Sequence, residues 1–170
     1  MMVEGRAWRF GDDVNTDAIY PQTAYRLDAD AAARALFGSL RPGWADAVRP
    51  GDVIVAGRRF GTGSARPAAV LLARLGVAAC VADSLAALFL RNCVNAGLPA
   101  LSCAGVSAIV GEGDVVSVDF ASGIVENRTS GARRQGQGLP QELLAVIAGG
   151  GLIARLERDG FIAPRDGAAR

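Results

Sequence analysis

The 170-residue sequence contains no histidine, and its eighteen basic residues are all arginine, so lysine is missing too. Without lysine there is no Schiff-base chemistry and no P-loop lysine. Without histidine the commonest acid–base group and the commonest metal ligand are both gone. Proton transfer has to come from Asp, Glu, Tyr, Cys or an activated Ser. Cysteine is scarce as well: Cys80, Cys93 and Cys103 form an odd set with no CxxC pair. That argues against a disulfide framework and against a self-contained zinc or iron–sulfur site. No segment approaches the roughly 20 apolar residues of a membrane helix. The opening Met1-Met2-Val3-Glu4-Gly5-Arg6 lacks the hydrophobic stretch of a signal peptide, so a cytoplasmic location is expected. Seventeen acidic residues nearly balance the arginines, giving a net charge of +1, and no nucleic-acid or membrane partner is expected on charge grounds.

What is present describes a packed domain. Hydrophobic residues make up 51% and charged residues 21% of the chain, which is ample for one core and too apolar for disorder. Val3–Phe10 alternates as a strand does, and Gly11–Asp17 is a loop rich in Asp, Asn and Gly. Asp28–Phe37 starts on a capping Asp and has helical spacing. Val53–Ala56 and Val77–Ala82 are short apolar runs suited to buried strands, and Leu98–Cys103 is a third. Between them, Pro67–Leu75 reads as a helix ended by Gly76, and Leu85–Ala96 as a helix capped by Asp83-Ser84 and ended by Gly97. The order strand, loop, helix, strand, helix, strand implies an α/β layer structure. Further on, Gly113–Phe120 and Gly123–Asn127 read as neighbouring strands. Ser130–Gly138 reads as a polar loop, and Leu139-Pro140 as the entry to a helix ending at Gly149-Gly150-Gly151. Leu152–Leu156 is a last short element. One domain over residues 1–163 and a flexible tail over 164–170 are expected.

The segment Gly61-Thr62-Gly63-Ser64-Ala65-Arg66 joins a strand to a helix. Glycines there allow positive φ and a close approach of backbone to ligand. A helix start offers free N–H groups and a positive dipole end, which suit an anion. Arg66 adds a planar fork that fits a carboxylate or phosphate. The dinucleotide fingerprint is not met, because Arg66 stands where a third glycine belongs. Two readings stay open on these residues alone: an anion cradle, or a tight turn with Ser64 as a helix cap and Arg66 in solvent.

The wider pattern resembles the small subunit of 3-isopropylmalate dehydratase and the related swivel domain of aconitase and homoaconitase. That family carries Asn-Phe-Gly-Cys-Gly-Ser-Ser-Arg-Glu, matched here by Phe60-Gly61-Thr62-Gly63-Ser64-Ala65-Arg66-Pro67. Its Asp-Thr-Asp-x-Ile-Ile-Pro resembles Asn15-Thr16-Asp17-Ala18-Ile19-Tyr20-Pro21, and its Ser-Phe-Ala-Arg-Ile-Phe-x-x-Asn helix resembles Ser84–Asn92. The matches run in family order through about the first 100 residues.

The resemblance implies an α/β fold: a single three-layer β/β/α swivelling domain. It implies that Ser64 is the base that removes a proton beside a carboxylate. It implies that Arg66 grips a substrate carboxylate, with Gly63 and Ala65 as substrate-contacting neighbours. Arg26, in the loop after the Thr-Asp motif, is placed to reach a distal substrate group. The family reaction is dehydration and rehydration of a hydroxy di- or tricarboxylic acid, here interconversion of 2- and 3-isopropylmalate in leucine biosynthesis. A paralogous substrate such as homoaconitate or dimethylmalate is an alternative, as is a non-catalytic anion-binding module. No cofactor is expected in this chain. A [4Fe–4S] cluster is expected on a large subunit, with which the chain would form a heterodimer or heterotetramer and without which it would be inactive. Three positions depart from the family: Thr62 for its Cys, Ala65 for its second Ser and Pro67 for its Glu. Thr16 and Asp17 are read as holding their loop together, Ser84 and Asn92 as a helix cap and a polar core residue, and Cys80 as packing.

Overall fold

The computed structural model describes residues 1–63 and 67–164. Seven strands form one mixed ladder in the order β4-β3-β2-β1-β5-β6-β7. They are β1 (Met2–Arg9), β2 (Val53–Ala56), β3 (Ala79–Ala82), β4 (Ala100–Ser102), β5 (Val115–Asp119), β6 (Ile124–Asn127) and β7 (Arg133–Gln135). β1 through β4 run parallel, whereas β1, β5, β6 and β7 pair antiparallel. β1 joins the two halves by dividing its length: Met2–Arg6 pairs with β5, and Ala7–Arg9 pairs with β2. At the corner the β1 backbone presses on the turn before β2. A Cβ on Gly5 would lie 1.9 Å from the Gly51 carbonyl oxygen, so only glycine fits.

The period-two alternation of the strands sorts their side chains onto two cores. Trp8, Phe10, Ile54, Ala56, Cys80 and Ala82 face one side, with the helices. These are α1 (Thr16–Ile19), α2 (Ala29–Arg34), α3 (Trp44–Ala47), α4 (Ala68–Arg74) and α5 (Ala87–Asn95). Phe10, Phe37 and Trp44 pack there as an aromatic group, Phe10 and Phe37 stacked at 4.3 Å. Ala7, Val53, Val55, Ala79, Val81 and Leu101 face the other side, where they meet Val116, Val118, Phe120 and Val125 of the antiparallel half. The ladder thus curls back over its own rear face, with α6 (Val106–Ile109) contributing Val106 to the same core. Helices, parallel strands and curled antiparallel strands make the three layers expected from the sequence. α7 (Gln141–Ala148) and α8 (Leu152–Arg158) pack against α5.

Three local expectations change. The helix placed at Leu85 begins at Ala87, and its cap is Ala86 without a side-chain bond. Asp83 and Ser84 do not cap it. The Asp83 carboxylate accepts from the N–H and Oγ of Ser107 at 3.0 and 2.7 Å. The Ser84 Oγ accepts from the N–H of Arg59 at 2.9 Å. The polar stretch Ser130–Gly138, read as a loop, contains β7, a fully exposed edge strand whose charged residues carry no apolar alternation. α1, α3 and α6 carry no recognised sequence signal; each is a single turn of four residues, and α1 begins inside the stretch read as a loop.

Asp52 anchors the start of the parallel half. It is buried, and its carboxylate accepts from Trp8 Nε1 at 2.6 Å, Arg6 Nη2 at 2.7 Å and the Arg49 N–H at 2.9 Å. Burial alone would raise its pKa, but the bonds from Arg6, Arg49 and Trp8 outweigh it and hold the carboxyl below its ordinary value. A group depressed on folding stabilises above its unfolded pKa and loses that contribution as pH falls through the folded one. Asp52→Asn is expected to cost about 2 kcal/mol at neutral pH, the partial exposure of Arg6 keeping it below a fully buried pair. Urea denaturation of both proteins checks this: the gap should be full above about pH 4 and close as pH falls further. A gap independent of pH would contradict the assignment.

Candidate functional site

The glycine-rich turn lies beyond the carboxyl ends of β1, β2 and β3, where open α/β sheets hold their ligands. β2 ends at Ala56 and the chain continues through Gly57–Gly63, flanked by a loop on either side. On one side runs Gly11–Thr16, leaving β1. Four backbone bonds join the two: Gly57 N–H to Gly11 O at 3.2 Å, Asp13 N–H to Arg58 O at 2.8 Å, Gly61 N–H to Val14 O at 2.8 Å, and Thr16 N–H to Thr62 O at 2.7 Å. On the other side runs Asp83–Ala86, leaving β3. Phe60 donates to Ser84 O at 3.0 Å and accepts from the Ala86 N–H at 2.9 Å. The turn is therefore the middle member of a three-loop platform.

The glycines are needed for two different contacts. Gly61 has φ +79°, and a Cβ there would stand 2.3 Å from Cγ of Phe89 on α5. Phe89 in turn meets Phe60 edge-to-face at 5.4 Å, so the turn is clamped from below by buried aromatics. Gly63 has φ +113°, and a Cβ there would stand 2.7 Å from Thr16 Oγ1. At the same platform Asn15 caps α1, its side chain accepting from the Ala18 N–H at 2.8 Å. The Asn15 side chain and the Thr16 backbone take part in holding this loop, beside the Thr16 and Asp17 named from the sequence.

Of the five site residues named from the sequence, Gly63 sits against Thr16 as described. Ser64, Ala65 and Arg66 lie outside the described residues. The chain re-enters the described structure at Pro67, which occupies the cap position of α4; the alternative reading of Ser64 as a helix cap falls, like the residue, outside the described residues. Arg26 is an exposed side chain just past a 3-10 turn (Gln22–Ala24). That turn is fixed by the Tyr20 hydroxyl, which donates to Ala24 O at 3.0 Å, and by stacking of Tyr25 on Tyr20 at 5.2 Å. Arg26 and the glycine turn thus share one support, the segment Asn15–Tyr20. Sequence reasoning missed Phe89, Val14 and the pair Asp12-Asp13. Phe89 had a weak signal in its place on the helix resembling the family's. The others have none, because their roles arise only when the loops meet.

A cleft of about 500 Å³, lined by Arg9, Arg41, Ser107 and Glu112 among others, opens beside the platform, but none of Gly57–Gly63 lines it. Arg41 is engaged there by Glu112, and Arg9 donates to Ser107 O at 3.1 Å. The three cysteines are all buried. Burial pushes the Cys80 thiol up to about 12 and raises Cys93 and Cys103 as well. Thiols so placed are poor cluster ligands. Among the described residues, no group of three or more Cys, Asp or Glu side chains is gathered to hold a metal. No helix among them is long and apolar enough to cross a membrane.

A parallel α/β layer with a curled antiparallel half behind it, and a glycine turn clamped at the strand ends, defines a swivel domain of the aconitase type. Residues 43–105 match the family described as the Aconitase C-terminal domain. The chain is 38% identical over 160 residues to the isopropylmalate/citramalate isomerase small subunit of Methanocaldococcus jannaschii, covering 92% of this chain and 95% of that one. It is 39% identical to 3-isopropylmalate dehydratase small subunit 2 of Archaeoglobus fulgidus, covering 95% and 99%. It is 42% identical to the methanogen homoaconitase small subunit of Methanothermobacter thermautotrophicus, covering 89% of each. A crystal structure of 3-isopropylmalate dehydratase from M. jannaschii superposes with a TM-score of 0.85 at 32% identity, covering 95% of this chain and 96% of that one. The chain belongs to the 3-isopropylmalate dehydratase small-subunit family.

Proposed function

We propose that this chain is the small subunit of a hydro-lyase that interconverts 2-isopropylmalate and 3-isopropylmalate, the step used in leucine biosynthesis, and that it works only with a large subunit. The observation that carries this is the three-loop platform: it fixes Gly61 to Gly63 at the strand ends, directly before Ser64, Ala65 and Arg66 in the chain. In this reading Ser64 takes the proton from the carbon beside a carboxylate. Backbone amides of the turn stabilise its alkoxide. Arg66 holds the carboxylate through a two-pronged hydrogen bond. Gly63 and Ala65 line the same pocket, and Arg26 reaches the distal part of the substrate. The [4Fe–4S] cluster belongs to the large subunit, where it supplies a Lewis acid for departure of the hydroxyl; the thiols of this chain do not fit that role. The domain extends over residues 1–163, the tail expected at 164–170 falls almost wholly outside the described residues, and the assembly is a cytoplasmic heterodimer or heterotetramer.

A second substrate is favoured by two observations. The homoaconitase relative is as similar as the dehydratase relatives, and Ala65 and Pro67 replace polar family residues next to the clamp. Mixing the purified chain with its cognate large subunit and offering isopropylmalate, citramalate, homocitrate and dimethylmalate tests both. The expected outcome is turnover of isopropylmalate by the complex and none by the chain alone. Normal turnover by the isolated chain would overturn the two-subunit reading, and exclusive use of homocitrate would overturn the substrate.

A further inference from the structure

Beside the glycine turn, two residues with side chains occupy the left-handed backbone region, Asp13 at φ 60° and Arg59 at φ 57°. Each such residue carries a steric cost of about 1 kcal/mol. They face each other across the loop pair, and a neighbouring pair lies beside them. Arg59 Nη2 donates to Asp13 Oδ2 at 2.6 Å, and Arg59 Nε donates to Oδ1 of the same carboxylate. Arg58 Nη2 and Nε donate to Asp12 Oδ2 at 2.8 and 3.0 Å, while the Arg58 N–H donates to Asp12 Oδ1 at 2.7 Å. Gly57 permits the approach, since a Cβ there would lie 2.0 Å from Asp12 Oδ1. Two carboxylates from the β1 exit loop thus hold two guanidiniums from the stem of the catalytic turn.

We propose that the bridges Asp12–Arg58 and Asp13–Arg59 form an electrostatic latch that holds the turn Gly57–Gly63 against the β1 exit loop, with Asp13 and Arg59 as positioning residues that touch no substrate. The inference rests on the hydro-lyase reading above. Magnitudes separate this role from ordinary stability. All four side chains are well exposed, from 40% for Asp12 to 68% for Arg58. Exposed pairs contribute about 0–1 kcal/mol to global folding, so the latch matters little there. The turn is a surface segment whose own opening free energy is a small fraction of the total. A contribution of that size decides how often the turn is in place. A displacement of roughly 1 Å at a catalytic group can lower the rate a hundredfold.

The test uses the chain assembled with its large subunit. Arg59→Gln and Asp13→Asn are each expected to lower kcat/KM by up to about fivefold, the most that an exposed bridge can shift the turn's equilibrium, with little change in Tm. The charge-swapped pair Asp13→Arg with Arg59→Asp is expected to restore most of it. Raising salt to 1 M, where the Debye length is about 3 Å, is expected to slow the wild type more than Arg59→Gln. Hydrogen exchange on the chain alone supplies a readout independent of the reaction. The Gly61 and Thr16 amides, bonded to Val14 and Thr62, should lose protection in the single variants. Single variants with wild-type kcat/KM and unchanged protection overturn the latch, as does a swap that restores neither. Should Arg59→Gln fail to fold, Asp13→Asn and the salt series carry the same test. An Ser64→Ala enzyme that still turns over defeats the underlying reading instead, leaving the exchange data to judge the latch.

Discussion

Ser64→Ala is expected to lower kcat of the assembled enzyme by about a thousandfold or more, with KM changed little. A positioned general base contributes typically 10²–10⁴-fold, and Ser64 is proposed as that base. The sequence has no histidine or lysine to take over, and the turn's other hydroxyl, on Thr62, lies two residues away with its backbone tied to Asn15 and Thr16. The next residue, where the family has a second serine, is Ala65. A serine hydroxyl is a poor base in water, so the loss measured for Ser64→Ala also measures how well the turn's amides stabilise an alkoxide. Steady-state kinetics with a thermal melt of the complex provide the check. Loss of turnover without loss of assembly supports the base role, and near-normal turnover rejects it.

Gly61→Ala is expected to cost about 3 kcal/mol of stability, near 10 °C in Tm, and to remove activity even where the protein remains folded. Two effects add. The backbone is at φ +79°, and the new methyl would stand 2.3 Å from Phe89 Cγ and 2.5 Å from Phe89 Cβ. Phe89 cannot withdraw: it is 2% exposed, and Phe60 beside it is fully buried. Gly113→Ala is the matched control, since Gly113 has φ +82° and open space around its Cα. It should show the backbone cost alone, about 1 kcal/mol. Equal Tm losses in the two variants would mean that the Phe89 clamp contributes nothing.

The comparison of these two glycines shows how much could be read before the structure. The glycine-rich motif marks Gly61 in the sequence, but nothing local shows that Phe89 crowds it while Gly113 stands in open space. The buried strands β2 and β3 were legible because four consecutive apolar residues with turn residues on each side leave few alternatives. The start of α5 was misread because Asp83 and Ser84 have good capping chemistry locally but spend it on Ser107 and Arg59, far along the chain. β7 was missed because an exposed edge strand needs no apolar face. The site followed the same division. Gly63, Ser64 and Arg66 stand together in the motif from which their roles are proposed, with only Gly63 among the described residues, and the motif's order with Thr16 and Ser84 carries the family. Phe89 as the floor of the turn, and Asp12-Asp13 as its side wall, depend on loops roughly 30 to 45 residues apart being folded against each other, which no window of sequence contains.

The divided pairing of β1 has a consequence for how the protein is made. Its final three residues can find β2 once about 55 residues have been synthesised, but its first five have no partner until β5 emerges near residue 119. During that interval the rear faces of β2 and β3, with Val53, Val55, Ala79 and Val81, are without the strands that cover them. An N-terminal strand left open on one edge above a bare valine surface is the kind of intermediate that recruits chaperones or pairs with a neighbouring chain. A ribosome stalled when residue 103 but not residue 115 has left the exit tunnel should therefore expose a protease-sensitive, aggregation-prone nascent chain, and one stalled late enough for β6 to leave the exit tunnel should not.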